Sequence, residues 1–422
     1  MKYRALRLWV LASAIAISGV LQAAQTTVRT PATSPAITRL DQRLRIAVDR
    51  GEVAGLVVVA SDRKGVIYTG AFGTSDVGHG RPMTSSTIFR IASMTKPITS
   101  TALMQLVEQH RIGLDDRADK YLPAFKNLQV FDSFDDQSRA YALRPAKRPP
   151  TVRELMTHTS GLAYNFVSPV VRDFTPRRGE SYEVGPLLFD PGERWHYGPS
   201  TYWIGRIVES VSGMTLEAYL RERLFDPLAM PDTSFNVRPE EQSRVATVHL
   251  RQRDGSLTEQ PATAIPVVTQ FRGDGGLFST AADYIRFEQM VLNDGALNGH
   301  RVLAPETVRA MAQNQIGTLG VVALKTAMPE RSSDFTFVDD GRDKWGLGFL
   351  TTARQVAGKR SAGSLSWGGI DNTYFWIDQQ RGIAGVILMQ MLPFADVKAL
   401  NVYDAFERGI YEIAAARAGA RK

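Results

Sequence analysis

Ile37, Leu40, Leu44, Ala47 and Val48 recur at helical spacing, and Gly51 closes the run. This predicts a helix. "AGLVVVAS" and "GVIYTGAFG" follow as two β-rich runs, and the turn "DRKG" (Asp62–Gly65) between them predicts a hairpin. Strand-like runs return near the other end: "WGLGFLTT" (Trp345–Thr352), "SLSWGG" (Ser364–Gly369), "TYFWID" (Thr373–Asp378) and "GIAGVILMQ" (Gly382–Gln390). "DQQRG" predicts a hairpin between the last two, and a final helix is expected over 397–415. The middle of the chain has helical periods instead. "TVRELMTHTSGL" predicts a helix ending at Gly161, and "STYWIGRIVESVSG" one ending at Gly213. "STAADYIRFEQMVLNDG" begins with Thr280 and Asp283 as a T-x-x-D capping box and ends near Gly295. "APETVRAMAQ" starts another helix, with Pro305 early in it.

Strands at both ends with helices between predict one discontinuous α/β (α+β) domain. Its sheet joins both chain ends, with an inserted, mainly helical region. A cleft is expected where the two parts meet, a usual place for a site. The α/β part is drawn over 36–92 plus 340–416 and the helical part over 93–339. A tail of 417–422 follows. There is no internal repeat.

Composition fits a globular enzyme-sized chain of 422 residues, 44% apolar and 22% charged. The formal net charge of +7 includes Lys2, Arg4 and Arg7. These open "MKYRALRLWVLASAIAISGVLQAAQ", whose apolar stretch ends in Ala23 and Ala24, the pattern of a secretory signal peptide over 1–24. Ser13, Ser18 and Gly19 interrupt the run, which disfavours a permanent membrane span. Residues 25–35 read as a flexible lead-in. The expected address is periplasmic or secreted, with no membrane span after cleavage. The chain has no cysteine, so disulfides, thiol nucleophiles and thiolate metal sites are excluded. Nucleic-acid binding has little support. The one dense basic stretch, "RPAKRPP" (Arg144–Pro150), is proline-rich and reads as a solvated loop.

The candidate chemistry begins with "RIASMTKPITS", which places Ser93 and Lys96 on one face of a helix start. A hydroxyl is a poor nucleophile until a base takes its proton, and a neutral lysine can do so. Lys96 falls where the helix dipole is positive, so stability alone favours an acid there. Spacing by itself does not decide, because "SDRK" (Ser61–Lys64) also matches S-x-x-K, in the hairpin turn. Tyr197, after the Pro191–Gly192 turn and before a helix, is a candidate proton relay; the alternative is a packed aromatic. Gly368 and Gly369 would let a substrate approach the backbone, or else mark a bend in a strand. A backbone N–H there, with that of Ser93, would hold an oxyanion.

Five segments then carry a resemblance: "FRIASMTKPITS", "TVRELMTHTSGL", "WHYGPSTYWIGRIVESVSG", "GDGGLFSTAADYIRF" and "SLSWGGIDNTYFWID". In this order they resemble the serine β-lactamase-related hydrolases, a superfamily of class C β-lactamases, D,D-peptidases and family VIII carboxylesterases. The last three segments are most like the esterase branch. The resemblance covers about Ile37 to Ile413 and implies the β-lactamase/D,D-peptidase-like fold, with an antiparallel sheet flanked by helices. It implies Ser93 as acyl-forming nucleophile, Lys96 as its partner and Tyr197 as the tyrosine of the second motif. Trp367, Gly368 and Gly369 occupy the third motif, and the second oxyanion N–H falls to Ile370.

Two positions depart from the β-lactamase pattern. Pro199 stands where Tyr-x-Asn would have its Asn, and no tyrosine here has Asn two positions on. Trp367 stands where a lysine would bind the substrate's carboxylate, which a neutral indole cannot do. Lys325–Ala327 and His158–Gly161 imitate the third motif without its strand context. No G-x-S-x-G elbow exists, six scattered histidines make no metal motif, and His196 beside Tyr197 reads as supporting structure. The reading is an exported serine carboxylesterase on small to medium esters, with a small-molecule ester or amide substrate and neither cofactor nor metal. A β-lactamase or D-amino-acid peptidase of the cell envelope is the alternative. An inactive binding or sensing relative is the alternative of another class.

Overall fold

The run "GLVVVAS" forms the heart of the protein. In the computed structural model, which describes residues 34–260 and 264–419, Gly55–Ser61 are buried without a break. The expected signal segment 1–24, most of the lead-in and the last three residues lie outside the described residues. Strand β1 (Gly55–Asp62) pairs with β2 (Gly65–Asp76) across the predicted "DRKG" turn. Short β3 (Arg81–Pro82) follows. The C-terminal runs supply β4 (Lys344–Trp345), β5 (Leu350–Thr351), β6 (Leu365–Gly369), β7 (Thr373–Asp378) and β8 (Ile383–Leu388). All are antiparallel, in the order β4-β5-β6-β7-β8-β1-β2-β3. The two chain ends meet where Val57 pairs with Leu388 and Asp62 with Ile383. "WGLGFLTT" makes two strands rather than one, because Gly348 turns at φ 99° between them.

Helices cover both faces. Helix α1 (Pro35–Asp49) buries Ala36, Leu40, Leu44 and Ala47, the predicted stripe. It packs against the C-terminal helix Val397–Gly419, where Gly409 leaves the space that Leu40 fills. Successive residues of β7 serve opposite faces, as a strand requires. Trp376 meets Phe406 of the C-terminal helix, while Phe375 meets Tyr284 of the helix Ala281–Leu292. Helix α2 (Thr95–Glu108) runs through the centre, buried from Thr95 to Leu106. Helix α3 (Val152–Met156) packs on α4 (Ser200–Ser212), which lies beside α2 and ends at left-handed Gly213 as predicted. The architecture is the expected antiparallel sheet with an inserted, mainly helical region.

Three further expectations are corrected. The "TVRELMTHTSGL" helix stops at Met156, not Gly161. Its start is a complete capping box between Thr151 and Glu154. The Thr157 hydroxyl then donates back to the Arg153 carbonyl at 2.8 Å, and His158 takes a left-handed φ of 58°. The Thr280–Asp283 box is half made. Thr280 accepts from the Asp283 N–H, but the Asp283 carboxylate turns to Asp232 N–H at 2.8 Å and Thr233 at 2.9 Å. "RPAKRPP" is not wholly a loop, since Arg144 and Pro145 end a hairpin of Gln129–Phe134 with Tyr141–Pro145. Its cations are paired with acids: Arg144 with Asp190 at 2.8 Å, Lys147 with Glu193 at 3.0 Å, Arg148 with Glu154. That leaves no open phosphate track. Among the described residues no helix is long and apolar enough to cross a membrane.

Candidate active site

Ser93 sits in a single 3-10 turn, Ala92–Met94, just before α2. Ala92 enters that turn at φ 45°, a left-handed conformation an alanine adopts at a cost. Lys96 follows in the first turn of α2 and is wholly buried. The sequence gives reason to expect Pro97 to distort the helix behind Lys96; α2 instead runs unbroken from Thr95 to Glu108. Pro97 is its third residue, where an N–H has no intrahelical acceptor and its loss costs nothing.

Lys96 Nζ lies 3.0 Å from Ser93 Oγ. Burial drives the lysine pKa down to about 7; Asp274 pulls the other way, and Arg272 adds to the fall. The amine is therefore available as a base near neutral pH, in line with its buried position.

Tyr197 joins the same cluster, 2% exposed, with Lys96 Nζ 4.8 Å from its ring centre and its hydroxyl facing Ser93. Its segment is laid along the loop after α3. His196 N–H donates to the His158 carbonyl at 2.9 Å, and Tyr164 N–H donates to the Tyr197 carbonyl at 3.3 Å. A Cβ on Gly198 would stand 2.2 Å from the Leu162 carbonyl oxygen, so only glycine permits this approach. Pro199 occupies the N-cap of α4. Trp367 donates its indole N–H to the Tyr197 oxygen at 3.2 Å. Burial raises the Tyr197 pKa, more than Ser93 and Trp367 lower it, so the phenol keeps its proton.

Trp367 is 2% exposed and lies edge-on to Trp345 at 4.6 Å between ring centres. It supports Tyr197 from behind. The room left by Gly368 and Gly369 is filled by the protein itself. A Cβ at Gly368 would meet the Tyr374 ring at 2.7 Å, and one at Gly369 the Ile91 carbonyl oxygen at 2.3 Å. Gly369 thereby brings the turn residue Ile370 beside the Ser93 turn. Among the described residues neither the Ser93 nor the Ile370 N–H has a hydrogen-bond partner. Two such donors suit an oxyanion.

Three residues of the cluster were not singled out by sequence. Lys96 donates to the Tyr164 hydroxyl at 3.1 Å and to the Asp274 carbonyl at 2.6 Å. Tyr164 donates to Asp274 Oδ2 at 2.6 Å, and Arg272 donates to the same oxygen at 2.8 Å. Asp274 lies within the quoted "GDGGLFS" and Tyr164 just after "HTSGL", but no local spacing marks either. His158 is buried edge-on to Tyr197 and Trp345, at 4.9 and 5.0 Å. Burial and Lys96 hold its pKa well below the usual value, so it stays neutral. His196 contributes its backbone, and burial brings its pKa down to about 4. Among the described residues Asp76, His79 and Glu259 also form a group of possible metal donors, of which His79 is exposed and already paired to Asp76 at 2.9 Å.

Comparison with known proteins agrees with this architecture. The beta-lactamase family model matches residues 40–407. A lovastatin esterase of Penicillium rubens is 31% identical over 395 residues, which cover 88% of this chain and 98% of that protein. A monacolin J acid methylbutanoyltransferase of Aspergillus terreus is 30% identical over 407 residues, covering 88% and 95%. The structure of a mutant simvastatin synthase from Aspergillus terreus aligns with a TM-score of 0.78 at 28% identity, over 92% of this chain and 99% of that one. With the family model matched over most of its length and relatives named as an esterase and an acyltransferase, the chain belongs to the beta-lactamase family and is a serine enzyme of its hydrolase and acyltransferase kind.

Proposed function

We propose that the protein transfers acyl groups from small to medium carboxylic esters through an acyl-enzyme on Ser93, and that water is its ordinary acceptor. The observation that carries this reading is the 3.0 Å approach of Lys96 Nζ to Ser93 Oγ, made by an amine whose pKa is about 7. In the first step neutral Lys96 takes the Ser93 proton as Oγ bonds to the ester carbonyl carbon. The N–H groups of Ser93 and Ile370 hold the carbonyl oxygen as it becomes negative. When the C–O bond to the alcohol breaks, Tyr197 gives its proton to the leaving oxygen and is reprotonated from Lys96. Water then attacks the acyl carbon, giving a proton to Lys96, and Ser93 leaves with its hydroxyl restored.

An alcohol in place of water would make the same site an acyltransferase. The relative named as a methylbutanoyltransferase supports this second reading. Weak β-lactam or peptidoglycan chemistry follows from Trp367 and Pro199, which remove the usual cation and amide. We further propose export, on the pattern of residues 1–24; sequencing the N-terminus of the cell-released protein checks it.

The test is turnover of a p-nitrophenyl ester series by the purified enzyme and by Ser93→Ala. A loss of about 10³-fold or more is expected. Undiminished ester hydrolysis in Ser93→Ala overturns the reading, and rapid cephalosporin hydrolysis by the wild type overturns the argument from Trp367.

A further inference from the structure

Lys96 has three oxygen partners, and they are chemically unequal. A neutral amine offers two N–H bonds and one lone pair, so two partners must accept and one must donate. The Asp274 carbonyl oxygen, at 2.6 Å, can only accept. The Tyr164 hydroxyl, at 3.1 Å, can in general do either. Here its proton is committed to Asp274 Oδ2 at 2.6 Å, and Arg272 holds that carboxylate oxygen at 2.8 Å. Tyr164 is thus left as an acceptor toward Lys96. Both N–H bonds are taken, and the remaining direction is the one to Ser93 Oγ at 3.0 Å. Ser93 is the only one of the three partners with a free proton to give.

We propose that Tyr164 and Asp274 are positioning residues that aim the lone pair of Lys96 at the Ser93 hydroxyl. The inference rests on the acyl-enzyme reading of Ser93 and adds the device that makes its base directional. Asp274 acts through Tyr164. Without the carboxylate, the phenol proton is free to turn to the amine and occupy the lone pair Ser93 needs. The unit is buried: Asp274 is 3% exposed, and its Oδ1 has no partner among the described residues. Its charge is therefore felt at short range.

The groups facing Lys96 are Ser93 from its own turn, Tyr164 and His158 from the loop after α3, and Tyr197 from the segment before α4. Asp274 and Arg272 face it from the loop 272–276. Asp274 favours the ammonium form, while Arg272 disfavours it. His158 and the two phenols are neutral near pH 7. Two variants of one ion pair should therefore move the pH profile in opposite directions.

The experiment is the burst of p-nitrophenol from a p-nitrophenyl ester, followed between about pH 5 and 10 for the wild type, Ser93→Ala, Tyr164→Phe, Asp274→Asn and Arg272→Gln. In the wild type the acylation rate rises with pH through a limb near 7. Asp274→Asn is expected to move that limb to lower pH and Arg272→Gln to higher pH. Tyr164→Phe leaves the charges in place, so its plateau rate should fall by about 10–100-fold with KM changed little. Limbs that stay together, or a Tyr164→Phe plateau within about twofold of wild type, overturn the inference while leaving Ser93 as nucleophile. A burst that survives in Ser93→Ala overturns the acyl-enzyme reading and this inference with it. Thermal melting shows which variants are folded. Should Tyr164→Phe not fold, the opposed limbs of the ion-pair variants decide, because general loosening of the structure lowers rates without moving limbs apart.

Discussion

Arg90 grips Asp371 with both arms of its guanidinium, Nε to Oδ2 at 3.1 Å and Nη2 to Oδ1 at 2.8 Å. Arg90 lies just ahead of Ser93 and Asp371 just after Ile370, so the pair fixes the separation of the two free N–H groups. Asp371 is 1% exposed and raises the Arg90 pKa further. Arg90→Lys keeps the charge and loses the fork. Its kcat is expected to fall by roughly 10–100-fold, short of the loss of a whole oxyanion donor, with KM nearly unchanged. Steady-state kinetics check this; a lower melting temperature with kcat intact would show the pair to be merely structural.

Trp367 is expected to act on rate through Tyr197. Trp367→Phe keeps a ring but removes the N–H that steadies the phenol oxygen. One lost hydrogen bond of about 1 kcal/mol predicts a kcat reduced about fivefold. Trp367→Lys should not create a β-lactamase. The Trp367 ring is walled by Tyr197, Phe335, Phe337 and Trp345, none of which offers an ammonium a carboxylate. Chromogenic cephalosporin assays and melting curves would report a destabilised, inactive protein.

Gly369→Ala tests how closely β6 must approach the Ser93 turn. The added methyl would collide with the backbone carbonyl of Ile91 and with Thr373 Oγ1, both at 2.3 Å. Neither is the end of a flexible side chain. Destabilisation of about 1–3 kcal/mol is expected, read from urea unfolding, with activity falling further than stability explains.

Lys96 gives stability a pH dependence. Its pKa is about 7 in the fold and returns to the ordinary 10.5 on unfolding. Between these values the unfolded chain binds the extra proton, so stability rises with pH across that window. The burden of the buried amine is complete below pH 7 and gone above 10.5. Lys96→Met is therefore expected to melt several degrees higher than wild type near neutral pH, with a gap that narrows as pH climbs. A gap independent of pH would place the lysine's cost elsewhere.

Much of the fold was legible because it is written in local periods. The unbroken "GLVVVAS", the stripe of α1 and the glycine stop of α4 each depend on a few neighbouring residues. What escaped was decided by distant partners. Asp283 leaves its capping box because Asp232 and Thr233 reach it first. The helix over "TVRELMTHTSGL" ends early, and its loop serves to carry Tyr164 and to receive Tyr197. Ser93, Lys96 and Tyr197 had a recognisable order along the chain. Tyr164, Asp274 and Arg272 had none, since a lone tyrosine and an acid far apart in sequence become a pair only when two loops meet. Gly368 and Gly369 were readable as places of close approach, but sequence alone does not say that the approaching atoms belong to the protein.

The pairing of β1 with β8 has a consequence for when the enzyme comes to life. Ser93 and Lys96 leave the ribosome early, while the turn bearing Ile370 and the strand that seats β1 are made near the end. Contacts of such long sequence separation form late in folding. A nascent chain lacking β6 to β8 has Ser93, the proposed nucleophile, but neither Ile370, the proposed second oxyanion donor, nor the sheet that buries the cluster. On the proposed mechanism, synthesis of the last strands is then the step that arms Ser93, and incomplete chains are expected to be inert toward esters.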